Sequence, residues 1–319
     1  MTADTITPSY WLNWRFLICG IWILAAMLVS AVIIWKYEGF SKSRSQQIEN
    51  HELINKAGFL YKDEVWKACY KGIHPVWLLV YRLIAFALLL SLLIADVVTH
   101  RLRILNFYTQ WTFTLVTIYF GLGSSLSIHG CLESRKGGNS ENSDVVDAER
   151  GSYSSDSTPE NASVLIVYNG LNSHVREAAG LWGYVFQIIF QACICAGGVV
   201  ITDCFFWLLI YPSHIYESNW VHFLAVCMHS FNTICLLGDT FLNCLRFPFF
   251  RIAYFVLWTC IFVSFQWIIH IYVSTRWPYP FLDFSSQYGP FGYFAVGILH
   301  LPCYGIFAVL IRIKKYWLS

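Results

Sequence analysis

A histidine, an asparagine and an aspartate stand in the stretch CMHSFNTICLLGD, residues 227–239, inside a run otherwise apolar enough to cross a membrane. Such groups are costly in a bilayer unless they face the interior of a helix bundle, pair with one another or line a wet cavity. His222, His229, Asn232, Thr233, Asp239, Thr240 and Asn243 are separated mainly by three, four or seven residues. On a helix this spacing gathers them on one stripe, opposite a face of Phe, Leu, Val, Ile and Cys. Such a stripe marks the face that meets a cavity or other helices rather than lipid. Thr109 and Thr112 lie on one side of another apolar run, and Gln266, His270 and Ser274 repeat the polar spacing weakly in a third. Together they predict a polar cavity bounded by three helices. On a straight-helix ruler Thr109 and His229 differ in depth by about 10 Å, so the helix carrying Thr109 must tilt or enter deeper.

Each of these residues also has a structural reading. A membrane histidine is often hydrogen-bonded glue between helices, worth ~0.5–1.5 kcal/mol. Threonine commonly bonds back to its own helix. Asp96 could meet Arg101 or Arg103, and Asp239 could pair with Arg246.

The elements that must position these groups follow from composition. The 319-residue chain is 57% hydrophobic and only 13% charged, against about a quarter charged in soluble domains. Its mean hydropathy is +0.52. That balance predicts an all-α, polytopic transmembrane helix bundle. Seven spans are expected, at about 14–36, 76–98, 108–130, 182–211, 218–242, 250–274 and 290–312. Four Lys/Arg fall on the side holding the N-terminus and sixteen on the other, with Arg82 inside a span. The positive-inside rule then puts the N-terminus outside and the C-terminus in the cytoplasm. The first apolar run, 16–35, is too long for a signal h-region and reads as an anchor.

Residues 1–75 form an N-terminal span and a cytoplasmic loop with a short helix expected near 59–71. Residues 76–319 form the membrane core, interrupted at about 132–176 by a Ser-, Asp-, Glu-, Asn- and Gly-rich loop expected to be disordered. The net charge of +2 gives no nucleic-acid footprint. None of the 11 cysteines falls in a predicted outside loop, so no disulfide framework is implied. G-x-S-x-G, H-E-x-x-H, P-loop and dinucleotide patterns are absent, and no cofactor or metal is expected. A haem held between two spans would need paired histidines at matched depth, for which only His229 and His300 compare.

Three segments together bear a resemblance: NFYTQWTFTLVTIYFG at 106–121, CMHSFNTICLLGD at 227–239 and WIIHIYVSTRWPYPFLDFSSQYGP at 267–290. In order and spacing the chain resembles the androgen-induced protein family and, more distantly, rolling-stone-like membrane proteins, over roughly residues 76–312. The resemblance implies a six-span core, with the first span as an addition. It also implies a membrane threonine hydrolase acting on fatty acid esters of hydroxy fatty acids, in the endoplasmic reticulum or plasma membrane. Counting back eleven residues from Phe120 places the family's nucleophile at Thr109, with Thr112 or Thr114 as alternatives. Met228-His229 matches the family's base, and Asp239 its acidic residue ten positions later. Asn232 could orient the ring or bind the oxyanion, and His270, Trp277 and Tyr279 would line the pocket. The expected partners are membrane lipids, including a fatty-acyl ester substrate. The rival expectations are a non-enzymatic lipid-binding, transport or scaffold protein, and a haem-bearing redox protein.

Overall fold

The computed structural model describes residues 7–38, 60–70, 72–149, 177–191, 198–213, 218–273 and 276–318. Among them there is no strand, only two isolated bridges, Tyr61 with Ala178 and Ala68 with Asn243. The helices are α1 (Pro8–Trp11), α2 (Trp14–Glu38), α3 (Pro75–His100), α4 (Tyr108–Glu149), α5 (Leu181–Ile189), α6 (Gly198–Phe205), α7 (Asn219–Leu242), α8 (Ile252–Tyr272) and α9 (Gly289–Leu318). Local sequence sets their starts. Pro75 opens α3 behind His74, whose Nδ1 accepts from the Val76 amide at 3.3 Å. Ser218 caps α7 by accepting from the Val221 amide at 3.3 Å.

Among the described residues, six helices are long and apolar enough to cross a membrane: Trp14–Glu38, Pro75–His100, Tyr108–Lys136, Asn219–Leu242, Phe249–Tyr272 and Gly289–Trp317. The fourth expected span differs. It is described as two shorter pieces, α5 and α6, the latter followed by a π-helical turn at Phe206–Ile210. Gly198, a weak helix former, opens the second piece. The expected loop also differs in its first part, because α4 continues as helix to Glu149. Once a helix is nucleated, each added residue brings its own backbone bond, so polar sequence can extend it. Residues 150–176 of that expected loop lie outside the described residues. The short helix expected near 59–71 is a 3-10 turn at Lys62–Val65.

Contacts fix which helix ends lie together. Arg15 donates to the Ser285 carbonyl at 2.6 Å, Gln266 to the Leu105 carbonyl at 3.0 Å and Trp220 to Thr99 at 3.2 Å, which marks one end. Lys62 meets Glu133 at 2.7 Å, Arg251 meets Glu38 at 2.7 Å and the Cys69 amide bonds the Leu242 carbonyl at 2.8 Å at the other. Ala179, bonded to Leu60 at 2.9 Å, belongs to the second end, whereas Trp220 belongs to the first. The described pieces α5 and α6 lie along the chain between these two ends.

Two apolar cores hold the helices. One gathers Leu89 of α3, Phe113 and Phe120 of α4, Phe186 of α5, Met228 of α7 and Phe307 of α9. The other gathers Tyr10, Ile23 of α2, Phe262 of α8, Leu282, Phe284 and Tyr293 of α9. The outward face of α2 leaves Leu17, Ile21, Leu24 and Leu28 at 59–67% exposure. Such a run has no place in water and suits hydrocarbon.

Candidate functional site

His229 sits on the tenth step of α7, about 15 Å in from its start at 1.5 Å per residue. Its Nδ1 lies 2.7 Å from Oδ1 of Asp203 on α6, and its ring stacks on Phe206 at 3.9 Å and 12°. Thr233, one turn along, donates to the other Asp203 oxygen. A carboxylate can only accept, so Nδ1 carries the proton and Nε2 is left as the basic nitrogen. Asp203 could not be placed from its sequence position; its partner lies 26 residues away on another helix.

Asp239 belongs to a different constellation. It accepts from Arg82 Nε at 2.8 Å, from Asn243 Nδ2 at 2.8 Å and from the Tyr119 hydroxyl. Arg82 also donates to the Val65 carbonyl and to Ser127 Oγ, each at 2.8 Å. All of Arg82, Asp239 and Tyr119 are fully buried, so this is an internal lock between α3, α4 and α7. The expected Arg246 partner is corrected: Arg246 reaches Glu64 at 3.2 Å instead. Asp96 likewise meets His100 at 2.8 Å, one turn along its own helix, rather than Arg101; the side chain of Arg103, the other expected partner, lies outside the described residues.

Thr109 lies in the first turn of α4, and the Leu105 carbonyl four residues earlier accepts from Gln266, about 9 Å inside the end of α8. The Tyr119–Asp239 bond registers α4 against α7. Thr109 precedes Tyr119 by ten residues and His229 precedes Asp239 by ten, so the two stand at matching depth. Ten residues also turn each helix by about 1000°, which is about 80° short of three turns. On two parallel helices facing one another, that same turn sends the side chains to opposite flanks. No hydrogen bond joins Thr109 to His229. The neighbouring Tyr108 points to α8, while His229 points to α6. Thr112, the alternative, donates to the Tyr108 carbonyl of its own helix at 2.5 Å. Asn232 is buried with no partner for Oδ1 among the described residues.

His270 and Trp277 do come together, stacked at 3.7 Å and 8°. They belong to an aromatic cap at the first end of the bundle. Tyr10 donates to Asp283 Oδ1 at 2.7 Å and accepts from Trp277 Nε1 at 2.8 Å and the Phe284 amide at 3.0 Å. The WPYPFLD motif thus folds over α1. Burial pushes the Asp283 carboxyl up, but bonds from Tyr10 and from the Ser285 amide and hydroxyl outweigh it, leaving it below the ordinary carboxylate range. A lowered carboxyl contributes stability that is complete above its unfolded value of about 3.9 and is lost as pH falls through its folded value. Acid titration of tryptophan emission is therefore expected to show a red shift below pH ~4 that Asp283→Asn flattens. An identical titration in the two proteins would remove Asp283 from the cap.

Tyr279 accepts from the Tyr108 amide at 3.0 Å and so anchors the start of α4. The Tyr108 hydroxyl lies 2.9 Å from Thr259 Oγ1 on α8, and that oxygen lies 2.8 Å from Nε2 of His300 on α9. His300 Nδ1 meets the Val296 carbonyl at 2.7 Å. Beside this chain is a cavity of about 90 Å³ between α2, α8 and α9. The sequence marked His300 as an intramembrane histidine, but Thr259 gave no signal of its own; only the pairing of α8 with α9 brings it into play. Both nitrogens of His300 are engaged, which does not suit a haem axial ligand. Among the described residues no three His, Cys, Asp or Glu side chains converge as a metal site would need. Compared with protein-family models, curated proteins and solved structures, the chain matches none.

Proposed function

We propose that this multi-pass membrane protein hydrolyses fatty-acyl esters inside the bilayer, using a threonine hydroxyl activated by a histidine. The observation that carries the reading is the way two buried histidines are held. His229 is fixed through Nδ1 by Asp203 and His300 through Nδ1 by the Val296 carbonyl. A histidine oriented in this way presents Nε2 as a general base. Helix packing alone does not require that both rings be held by the same nitrogen. The resemblance to the androgen-induced protein family supports the same chemistry and the fatty-acyl class of substrate.

The arrangement in the membrane follows the charge count and the helix ends. Seven crossings are proposed, counting α5 and α6 together as one. The end holding Arg15 and Arg276 faces outward; the end holding Lys62, Arg246, Arg251 and Lys314 faces the cytoplasm. Endoplasmic reticulum and plasma membrane both fit this orientation. A scaffold or lipid-binding role is favoured by one observation, the buried Arg82–Asp239 lock, which stabilises the bundle and needs no substrate.

A serine- and threonine-directed fluorophosphonate probe on the detergent-solubilised full chain tests the reading. Covalent labelling is expected, falling at least 100-fold when both His229 and His300 are replaced by asparagine, since general-base assistance contributes about 10²–10⁴-fold. A folded protein that takes no label, or keeps it in that double variant, would leave the scaffold reading standing.

A further inference from the structure

We propose that the nucleophile of this hydrolysis is Thr259, activated by His300, at a site between α2, α8 and α9 that is separate from the His229 stripe. The inference rests on the hydrolase reading and names its residues. Proton positions follow from the partners. A backbone carbonyl only accepts, so the 2.7 Å contact with Val296 puts the ring proton of a neutral His300 on Nδ1. Nε2 is then an acceptor, and Thr259 donates its single proton to it across 2.8 Å. Thr259 Oγ1 has no second proton, so Tyr108 is the donor in their 2.9 Å bond. The competing acceptor for the threonine proton, the Phe255 carbonyl one turn back, is farther away at 3.3 Å. The result is a hydroxyl poised on a bare imidazole nitrogen, with the Tyr108 phenol donating to the same threonine oxygen and fixing its direction.

The surroundings suit a lipid ester. His300 and Thr259 line the cavity of about 90 Å³, with Trp22, Ile23, Val263, Phe281 and Tyr293 among the other residues of its wall. That wall offers contact to hydrocarbon and no cationic group for a phosphate or free carboxylate. The volume exceeds the ~10–15 Å³ that one water needs, leaving room for the hydrolytic water. His300 lies about 17 Å along α9 from its start.

The chemistry closes without a further reagent. Thr259 Oγ1 attacks the ester carbonyl carbon as its proton passes to His300 Nε2. The tetrahedral intermediate collapses, the alkoxy C–O bond breaks, and the proton on Nε2 goes to the leaving oxygen to release the alcohol. Water then attacks the acyl-Thr259 ester, gives its proton to Nε2, and the second collapse returns that proton to Thr259 and frees the fatty acid.

The test uses an alkyl fluorophosphonate and the full chain in detergent. Labelling is expected in wild type and in Thr259→Ser, which keeps the hydroxyl. It should fall at least 100-fold in Thr259→Val and in His300→Asn. Peptide mass mapping of labelled wild type, which needs no variant to fold, should place the adduct on Thr259. An adduct on any other residue overturns the inference while sparing the hydrolase reading. A folded wild-type chain that takes no label overturns both.

Discussion

Replacing Arg82 by alanine is expected to cost the fold ~3–5 kcal/mol, the usual consequence of leaving one partner of a buried ion pair uncompensated. The guanidinium is fully buried and holds Asp239, the Val65 carbonyl and Ser127 at 2.8 Å each. It also lies 5.0 Å over the Phe186 ring. One side chain therefore joins α3 to α4, α5, α7 and the segment before α3. Without it, the Asp239 carboxylate keeps only Tyr119 and Asn243 in a medium that disfavours charge. Heating the purified protein and following loss of the monodisperse species should show a midpoint lower by about 10 °C. The double variant Arg82→Ala/Asp239→Ala should lose less than the two single variants added together, because it leaves no lone charge behind. Additive losses would mean that the two groups are not coupled, and the lock would have to be reassigned.

That lock also marks the boundary of what the sequence can say. The stripe on residues 222–243 is written in its spacing, and α7 carries it as expected. Yet the stripe does not act as one unit. His229 meets Asp203 on α6, whereas Asp239, ten residues later, meets Arg82 on α3. Periodicity tells which residues share a face; it does not tell which neighbour lies opposite each turn, because helix packing sets that. Arg246 was the natural partner for Asp239 by proximity along the chain, but it lies beyond the end of α7 and turns to Glu64. Apolar length placed six helices well. The fourth expected span was harder, because α5 and α6 are each shorter than a span and the residues between them lie outside the described set. Thr259 was hidden for another reason: a lone threonine in an apolar helix usually bonds its own backbone, and only the 41-residue separation bridged by α8 and α9 changes its meaning.

Arg251 makes the comparable case at the opposite side of the bundle, and there the N-terminal helix is at stake. Its Nε donates to Glu38 at 2.7 Å and its Nη1 to Gln191 at 2.6 Å, with the residue itself fully buried. Tyr254 donates to the second Glu38 oxygen. The end of α2 is thereby tied to the start of α8 and to the chain after α5. Glu38 keeps 23% side-chain exposure, so water can partly solvate it once Arg251 is gone. The penalty is accordingly set by two lost charge-assisted bonds rather than by a stranded buried anion, and Arg251→Ala is expected to cost ~3 kcal/mol, less than Arg82→Ala. Its effect should also be local. Because α2 packs mainly on α8 and α9 and supplies Trp22 and Ile23 to the cavity wall, loosening its end should speed proteolysis between residues 38 and 60 and weaken fluorophosphonate labelling. Glu38→Gln, which keeps an acceptor for Arg251, should lose less than half as much stability. If Arg251→Ala unfolded the whole bundle at the temperature of Arg82→Ala, α2 would be an integral part of one cooperative core rather than an element clipped to it through Glu38.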